Sequence, residues 1–376
     1  MNHIGSLRHA IVESRFSDLS MLHAQFHAEM MDFQGYSLPY QYKAGVNAEH
    51  HYCRTKACFF DVSHLTKQLL LIGNDVAERL ELLIPSAIQE LKAGKARYTV
   101  LTNESGGIRD DLVLCHAGDH YYMLLNTAFH THNVEYLRAQ LHGIEVIELS
   151  DQALFDIQGP SAEGVLATLC PEARELKFMS TQQVTLNGAV CRLSRLGFTG
   201  EDGFELSVPA SHAYDIANAI LAHDDVQPAG LGARESLRLE AGFNLYGNEI
   251  DARTSPIEAQ IPWIIQKRRI QEANFFGAKR ILEELKQGPS RKLVGLMPEG
   301  QKPVPSGCDI FSQDEKKIGK ITSSLFGPTI GAPIANGYIL SKYADIGADV
   351  LLNIDDNLKS ARISKRPFVT RRYKRS

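Results

Sequence analysis

Two adjacent carboxylates, Asp110 and Asp111, follow the pair Gly106-Gly107 and lead into the apolar run Leu112-Val113-Leu114. A glycine pair reverses the chain where other residues would clash, and the run reads as a buried strand, so charge stands where a turn enters a core. Strand side chains alternate between faces. One aspartate can therefore face a given pocket, while the other needs backbone or basic partners. This excludes an aspartic dyad and leaves a one-carboxylate site, or two turn carboxylates that accept backbone N–H groups. Glu205 alternates with Phe204 and Leu206 and lies on the strand face opposite them, as a solvated or a ligand-facing group. Arg234 and Arg238 are four apart and share a helical face, where they either pair with Glu235 and Glu240 or hold a carboxylate ligand.

Other chemistries find little support. Glu49, His50, His51 and His64 lack the spacing of a metal motif. Six scattered cysteines form no C-x-x-C pair and suit free thiols in a reducing compartment. The 376 residues, 44% apolar and 22% charged, suit a soluble globular protein of two or three domains. A net charge of -4 gives no general pull toward nucleic acid or anionic lipid. The run of about 18 apolar residues that a membrane helix needs is missing. Near the start, Glu13 and Asp18 mix with Arg8 and Arg15 without a long apolar core, unlike a secretory signal or a good transit peptide.

The elements that must position these groups follow in order. Residues 31–40, rich in aromatics with Gly35 and Pro39, read as an irregular loop. A strand over 67–72 leads to a helix through Val76, Leu80 and Leu83. Strands near 97–102, 111–115 and 121–125 come next, then a helix begun by Thr127 and a strand at 145–148. This is a split βαβ, ferredoxin-like pattern with an extra hairpin strand. A strand at 153–158 precedes a short helix capped by Ser161, and Asn187-Gly188 marks a hairpin. A helix near 211–223 is followed by one from Gly230 to Gly242, whose Gly-x-Gly lacks the Rossmann context. Residues 285–292 have linker composition, and short strands beyond them suggest a small β-barrel or sandwich. The basic tail from Lys365 to Arg375 is a solvated end, or meets an acidic partner or a polyanionic ligand tail.

Five stretches in order resemble the aminomethyltransferase (T-protein) family of the glycine cleavage system, over nearly the whole chain. They are Asp32-Phe33-Gln34-Gly35-Tyr36 with Pro39, Phe60-Asp61-Val62-Ser63-His64, Gly106-Gly107-Ile108 with Asp110-Asp111-Leu112, residues 198–205, and residues 230–247 from Gly230-Leu231-Gly232-Ala233-Arg234 to Asn244-Leu245-Tyr246-Gly247. The resemblance implies an α+β, three-domain, folate-binding fold. Residues 1–65 with 150–284 would form a discontinuous core, 66–149 a ferredoxin-like domain carrying the catalytic aspartate, and 285–376 a C-terminal β-barrel.

The resemblance also implies a reaction. The methylene of an aminomethyl group on the lipoyl arm of H-protein passes to the co-substrate tetrahydrofolate, giving 5,10-methylenetetrahydrofolate, ammonia and dihydrolipoyl H-protein. The family's catalytic aspartate falls on Asp110, beside N10 of folate, with Asp111 turned away. Its pterin-holding glutamate falls on Glu205 and a folate-contacting arginine on Arg234, while Tyr98, Tyr246, Tyr373, Phe198 and Leu65 line the pocket. Phe198 stands where many members have Tyr, Leu65 where Met is common, and Ser324 where Gly is usual. The implied protein is a monomer of the bacterial cytoplasm or the mitochondrial matrix, with H-protein as partner. Another folate-dependent demethylase or one-carbon transferase of the same fold would use the same residues. The non-catalytic folate binders of iron–sulfur assembly carry Lys-Gly-Cys-Tyr, where this chain has Phe243-Asn244-Leu245-Tyr246.

Overall fold

The computed structural model describes residues 15–33, 35–126 and 132–375. Gln34 and Thr127, used above, lie outside them. The chain enters through a sheet of β1 (Arg15–Phe16), β2 (Glu29–Phe33) and β3 (Tyr36–Gln41), with helix α1 (Ser20–Gln25) after β1. The stretch expected to be an irregular loop is thus a hairpin. Gly35 turns it at φ +83°, and Pro39 sits beside a register shift, where the ladder is already interrupted.

Helix α2 (Val46–Thr55) leads into a six-stranded sheet with the spatial order β11 (Ser180–Leu186), β12 (Ala189–Arg195), β13 (Gly203–Pro209), β10 (Gln152–Gln158), β4 (Ala57–Asp61) and β14 (Val226–Pro228). Asn187 and Gly188 join β11 to β12 with φ of +48° and +79°, the pair of positive angles a tight hairpin turn of this kind needs. Strand alternation divides the residues. Phe59, Phe155, Ile157, Phe204 and Leu206 pack with α5 (Ala162–Ala167) and α6 (Ala210–Leu221). Phe60, Leu154, Asp156 and Glu205 take the other face.

That other face meets a second, antiparallel sheet of order β6 (Ala96–Thr102), β7 (Ile108–His116), β8 (Tyr121–Asn126), β5 (Thr66–Ile72) and β9 (Glu145–Glu148). Its helices α3 (Val76–Leu83) and α4 (Asn133–Gln140) cover Leu69, Leu71, Leu112 and Leu114. Cys115, Tyr122 and Leu124 point the opposite way and pack with Phe60 and Leu154 of the first sheet. Each sheet has its own helix-covered core, and the two sheets meet face to face.

Helices α7 (Leu231–Glu240), α8 (Lys267–Glu272) and α9 (Ala278–Gln287) complete this body. The expected linker at 285–292 is instead the last turn of α9, Gly288 at φ +89°, and the start of a strand. Leu282 and Leu285 hold that turn against the same core as Ile281, while its polar residues face out. A closed barrel follows, in the order β15 (Arg291–Pro298), β18 (Ala332–Leu340), β17 (Lys317–Gly327), β16 (Asp309–Phe311), β19 (Asp349–Ile354) and β20 (Asn357–Ser364). Ser324 has a structural use there: its hydroxyl donates to Ile334 O (3.0 Å) and accepts from Val304 N (3.1 Å).

The basic tail returns from the barrel to the first body. Phe368 and Val369 donate backbone N–H groups to Glu240 O at 2.9 and 3.0 Å, and Arg372 N to Gly200 O at 2.8 Å. Arg372 Nη2 lies 2.7 Å from Glu201, and Lys374 Nζ 2.7 Å from Glu163. The acidic partners of the tail are therefore within the chain itself.

Candidate functional site

The turn before β7 is shaped by close approach. A Cβ on Gly107 would stand 1.8 Å from Ala252 O, so only glycine passes there, and Gly106 takes φ +82°. Asn103 Oδ1 accepts from Ser105 N at 3.0 Å and Gly107 N at 2.9 Å, fixing the entry to the strand.

The two aspartates then part. Asp110 shares the face of Leu112 and Leu114 and is 0% exposed on the helix side of its sheet. Its Oδ2 accepts from Asn133 Nδ2 (2.7 Å) and its Oδ1 from Asp111 N (2.9 Å). Burial, then the neighbouring charge of Asp111, push its carboxyl well above the usual range. Asp111 is half-buried on the face of Val113 and Cys115, which looks toward the first sheet. Tyr98 Oη donates to its Oδ2 (3.2 Å) and Asn126 Nδ2 approaches its Oδ1 (3.5 Å). Burial raises it to about 6, against the pull of those two hydrogen bonds. The geometry reverses the expected assignment. Asp110 is the enclosed carboxylate and Asp111 the accessible one, because Leu112 and Leu114 commit the Asp110 side of the strand to the helices.

Across the interface, Glu205 and Asp156 are direct partners on antiparallel strands and share a face. Arg234, on α7, brings Nη2 to 3.1 Å from Asp156 Oδ2. Burial, then the charge of Asp156, push Glu205 well up. The Glu205 face is therefore not solvated but turned onto the second sheet.

Aromatic and cationic groups continue the wall. The Arg234 guanidinium lies 4.9 Å from the Phe198 ring centroid, Phe198 stacks on Phe243 at 5.1 Å, and Arg371 covers Phe243 at 4.4 Å. Tyr373, carried by the tail, stacks on Phe178 at 4.2 Å. Tyr98 meets Trp263 at 5.8 Å. Leu65, half-buried, packs against the core between the sheets, as Val113 does. Tyr246 is 5% exposed, in a core with Val100 and Ile108, and burial and the Asp110 charge raise it to about 12. Of the residues singled out from the sequence, Glu205 and Arg234 meet at Asp156 with Phe198 against Arg234, Tyr98 meets Asp111, Leu65 packs between the sheets and Tyr373 arrives with the tail. Asp110 instead faces the helices, and Tyr246 lies in a separate core. Asp156, Asn126, Phe178, Phe243 and Arg371 were not singled out. A charge within the apolar run Ala153-Leu154-Phe155-Asp156-Ile157 was a readable signal for the first.

Residues 19–269 match a family profile described as the GCVT N-terminal domain. Residues 291–370 match one described as the glycine cleavage T-protein C-terminal barrel domain. The chain is 38% identical over 359 residues to a probable mitochondrial aminomethyltransferase of Schizosaccharomyces pombe, covering 94% of this chain and 92% of that protein. It is 37% identical over 368 residues to the mitochondrial aminomethyltransferase of Homo sapiens, covering 96% and 91%. The crystal structure of glycine cleavage system aminomethyltransferase T from Bartonella henselae matches at a TM-score of 0.89 and 35% identity, over 96% of this chain and 99% of that one.

Proposed function

Starting from a chain that belongs to the glycine cleavage T-protein family, we propose that its partner is lipoylated H-protein and that tetrahydrofolate accepts the one-carbon unit. The chain is an enzyme of the transferase class, an aminomethyltransferase of glycine cleavage. It takes the methylene of the aminomethyl group to tetrahydrofolate, giving 5,10-methylenetetrahydrofolate, ammonia and dihydrolipoyl H-protein. The compartment follows the partner: cytoplasm in a bacterium, matrix in a mitochondrion. In the same reading the chain works as a monomer. Residues 1–65 with 150–284 would hold folate, 66–149 would bring the aspartate, and the barrel that starts at Arg291 would return the tail.

One observation carries the assignment of roles: an accessible carboxylate, Asp111, on one sheet opposes a buried carboxylate–arginine group on the other. The residues fit folate. Its 2-amino-4-oxopyrimidine edge offers N–H donors, and the Asp156 oxygens and Arg234 Nε lack hydrogen-bond partners among the described residues. Glu205 would take two of those donors side by side, and Arg234 a carbonyl or carboxylate oxygen. Phe198, Leu65 and Tyr373 would wall a flat ring, with Tyr246 supporting the wall from the core. When bound, tetrahydrofolate supplies the nucleophilic nitrogen. Asp111, ionised at neutral pH and steadied by Tyr98, stabilises positive charge that develops on nitrogen as ammonia leaves.

The test is tetrahydrofolate-dependent ammonia release from aminomethyl-loaded H-protein by wild type, Asp111→Asn and Asp110→Asn, after each is shown to bind folate. Asp111→Asn should lose roughly 10²–10³-fold in kcat, and Asp110→Asn far less. The opposite ranking would return the role to Asp110. Folate binding without ammonia release by wild type would remove the proposed partner.

A further inference from the structure

Asp156 has no counterpart among the residues expected from the sequence, and its surroundings are costly. It is 0% exposed within an otherwise apolar strand. As the direct cross-strand partner of Glu205, it stands at a Cβ separation of about 5 Å from it. Arg234 Nη2 is 3.1 Å from Asp156 Oδ2. Yet neither Asp156 oxygen nor Arg234 Nε has a hydrogen-bond partner among the described residues. The ion pair brings Oδ2 alone to Arg234, without a hydrogen bond, and leaves Oδ1 and Arg234 Nε with no partner among the described residues. Leaving them idle in a low-dielectric interior is expensive unless a ligand engages them.

We propose that Asp156 is a specificity-determining residue of the folate site, forming with Glu205 a two-carboxylate floor that reads the exocyclic amino group of the 2-amino-4-oxopyrimidine ring. This inference rests on the folate reading of the site. The amino group and the adjacent ring nitrogen together bring three N–H hydrogens. One carboxylate accepts two of them in parallel, and the third needs a second acceptor beside the first. Asp156, beside Glu205 on the same sheet face, would be that acceptor, and Arg234 would offset the added charge. Burial raises Asp156 to about 6 against the pull of Arg234, and burial followed by the Asp156 charge pushes Glu205 well up.

The experiment measures equilibrium binding of tetrahydrofolate and of its 2-desamino analogue to full-length wild type, Asp156→Asn and Asp156→Ser, with thermal unfolding as the control for folding. Wild type should prefer the amino compound by roughly tenfold to a hundredfold, the worth of a hydrogen bond to a charged acceptor. In the folded variants the preference should fall several-fold, leaving the part that Glu205 supplies, through weaker binding of tetrahydrofolate and little change for the analogue. A wild-type preference retained in the variants, or equal weakening of both ligands, would overturn the role. If neither variant folds, Asp156 is a structural anchor and the proposal falls. Failure of wild type to bind tetrahydrofolate at all would instead sink the folate reading itself.

Discussion

Replacing Tyr98 with Phe should move the acidic limb of the activity profile upward. The Tyr98 hydroxyl donates to Asp111 Oδ2 at 3.2 Å and favours the charged carboxylate, which burial otherwise raises to about 6. A hydrogen bond to a charged group is worth about 1.5–3 kcal/mol net, and a pKa unit corresponds to about 1.4 kcal/mol. The bond is long and Asp111 is only half-buried, so the lower figure applies and the shift is about one unit. The sign is fixed: losing a donor to the ionised form raises the pKa, so the working carboxylate appears later as pH rises. With the limb moved from about 6 to about 7, kcat/KM at pH 6.5 should fall about threefold, while parent and variant converge well above pH 8. The assay is tetrahydrofolate-dependent ammonia release over pH 5.5–9 with saturating H-protein. A limb that stays in place, or moves down, would refute the idea that ionised Asp111 governs the rate.

Acid stability depends on other groups. Against the opposing effect of burial, His23 and Ser63 hold Asp61 at about 2, and His50, Thr329 and Arg54 hold Glu240 at about 2. Both native values lie below those of the unfolded chain, so their stabilisation is present above about pH 4.5 and is lost as pH falls toward 2. Asp61 contributes about 2.5 kcal/mol and Glu240 about 3 kcal/mol at neutral pH. Asp61→Asn and Glu240→Gln should each flatten the fall in urea midpoint between pH 5 and pH 2.5, and an unchanged slope would disprove the linkage. Two glycines should behave oppositely. Gly107→Ala forces a Cβ to 1.8 Å from Ala252 O and should cost more than ~3 kcal/mol, the upper end of ordinary overpacking, read as lost soluble protein. Gly164→Ala, inside α5 with open space around it, should gain roughly 0.5–1 kcal/mol in the same unfolding assay.

Local patterning was legible where one periodicity dominated. The strands at 96–102 and 121–126, the Asn187-Gly188 hairpin and the α7 helix all follow from apolar spacing and turn chemistry. The β2–β3 hairpin was hidden because Pro39 and Gly35 signal a break, and the bulge that accommodates the proline is a feature of the pairing. The last turn of α9 was hidden because Leu285 is ordered by distant core residues. For the aspartates, alternation showed that the two must part but not which way. That is decided by the helices packed on Leu112 and Leu114. Asp156 was legible as an anomaly, but its partner Glu205 is 49 positions later (205 − 156) and they meet only through strand pairing.

Strand β7 gives two kinds of selection a shared template. Its even positions, Ile108, Asp110, Leu112 and Leu114, are buried, three of the four at 0% exposure. The odd positions Asp111 and Val113 are half-buried on the side of the site, and Cys115, at 0% exposure, closes that face in the core between the sheets. Mutational tolerance from Asp110 to Leu114 should therefore oscillate with a period of two. Changes at even positions are filtered for whether a protein exists at all, and changes at odd positions for what that protein does. Improvement of the chemistry by stepwise substitution is then open to alternate residues, while those between them are held by the fold.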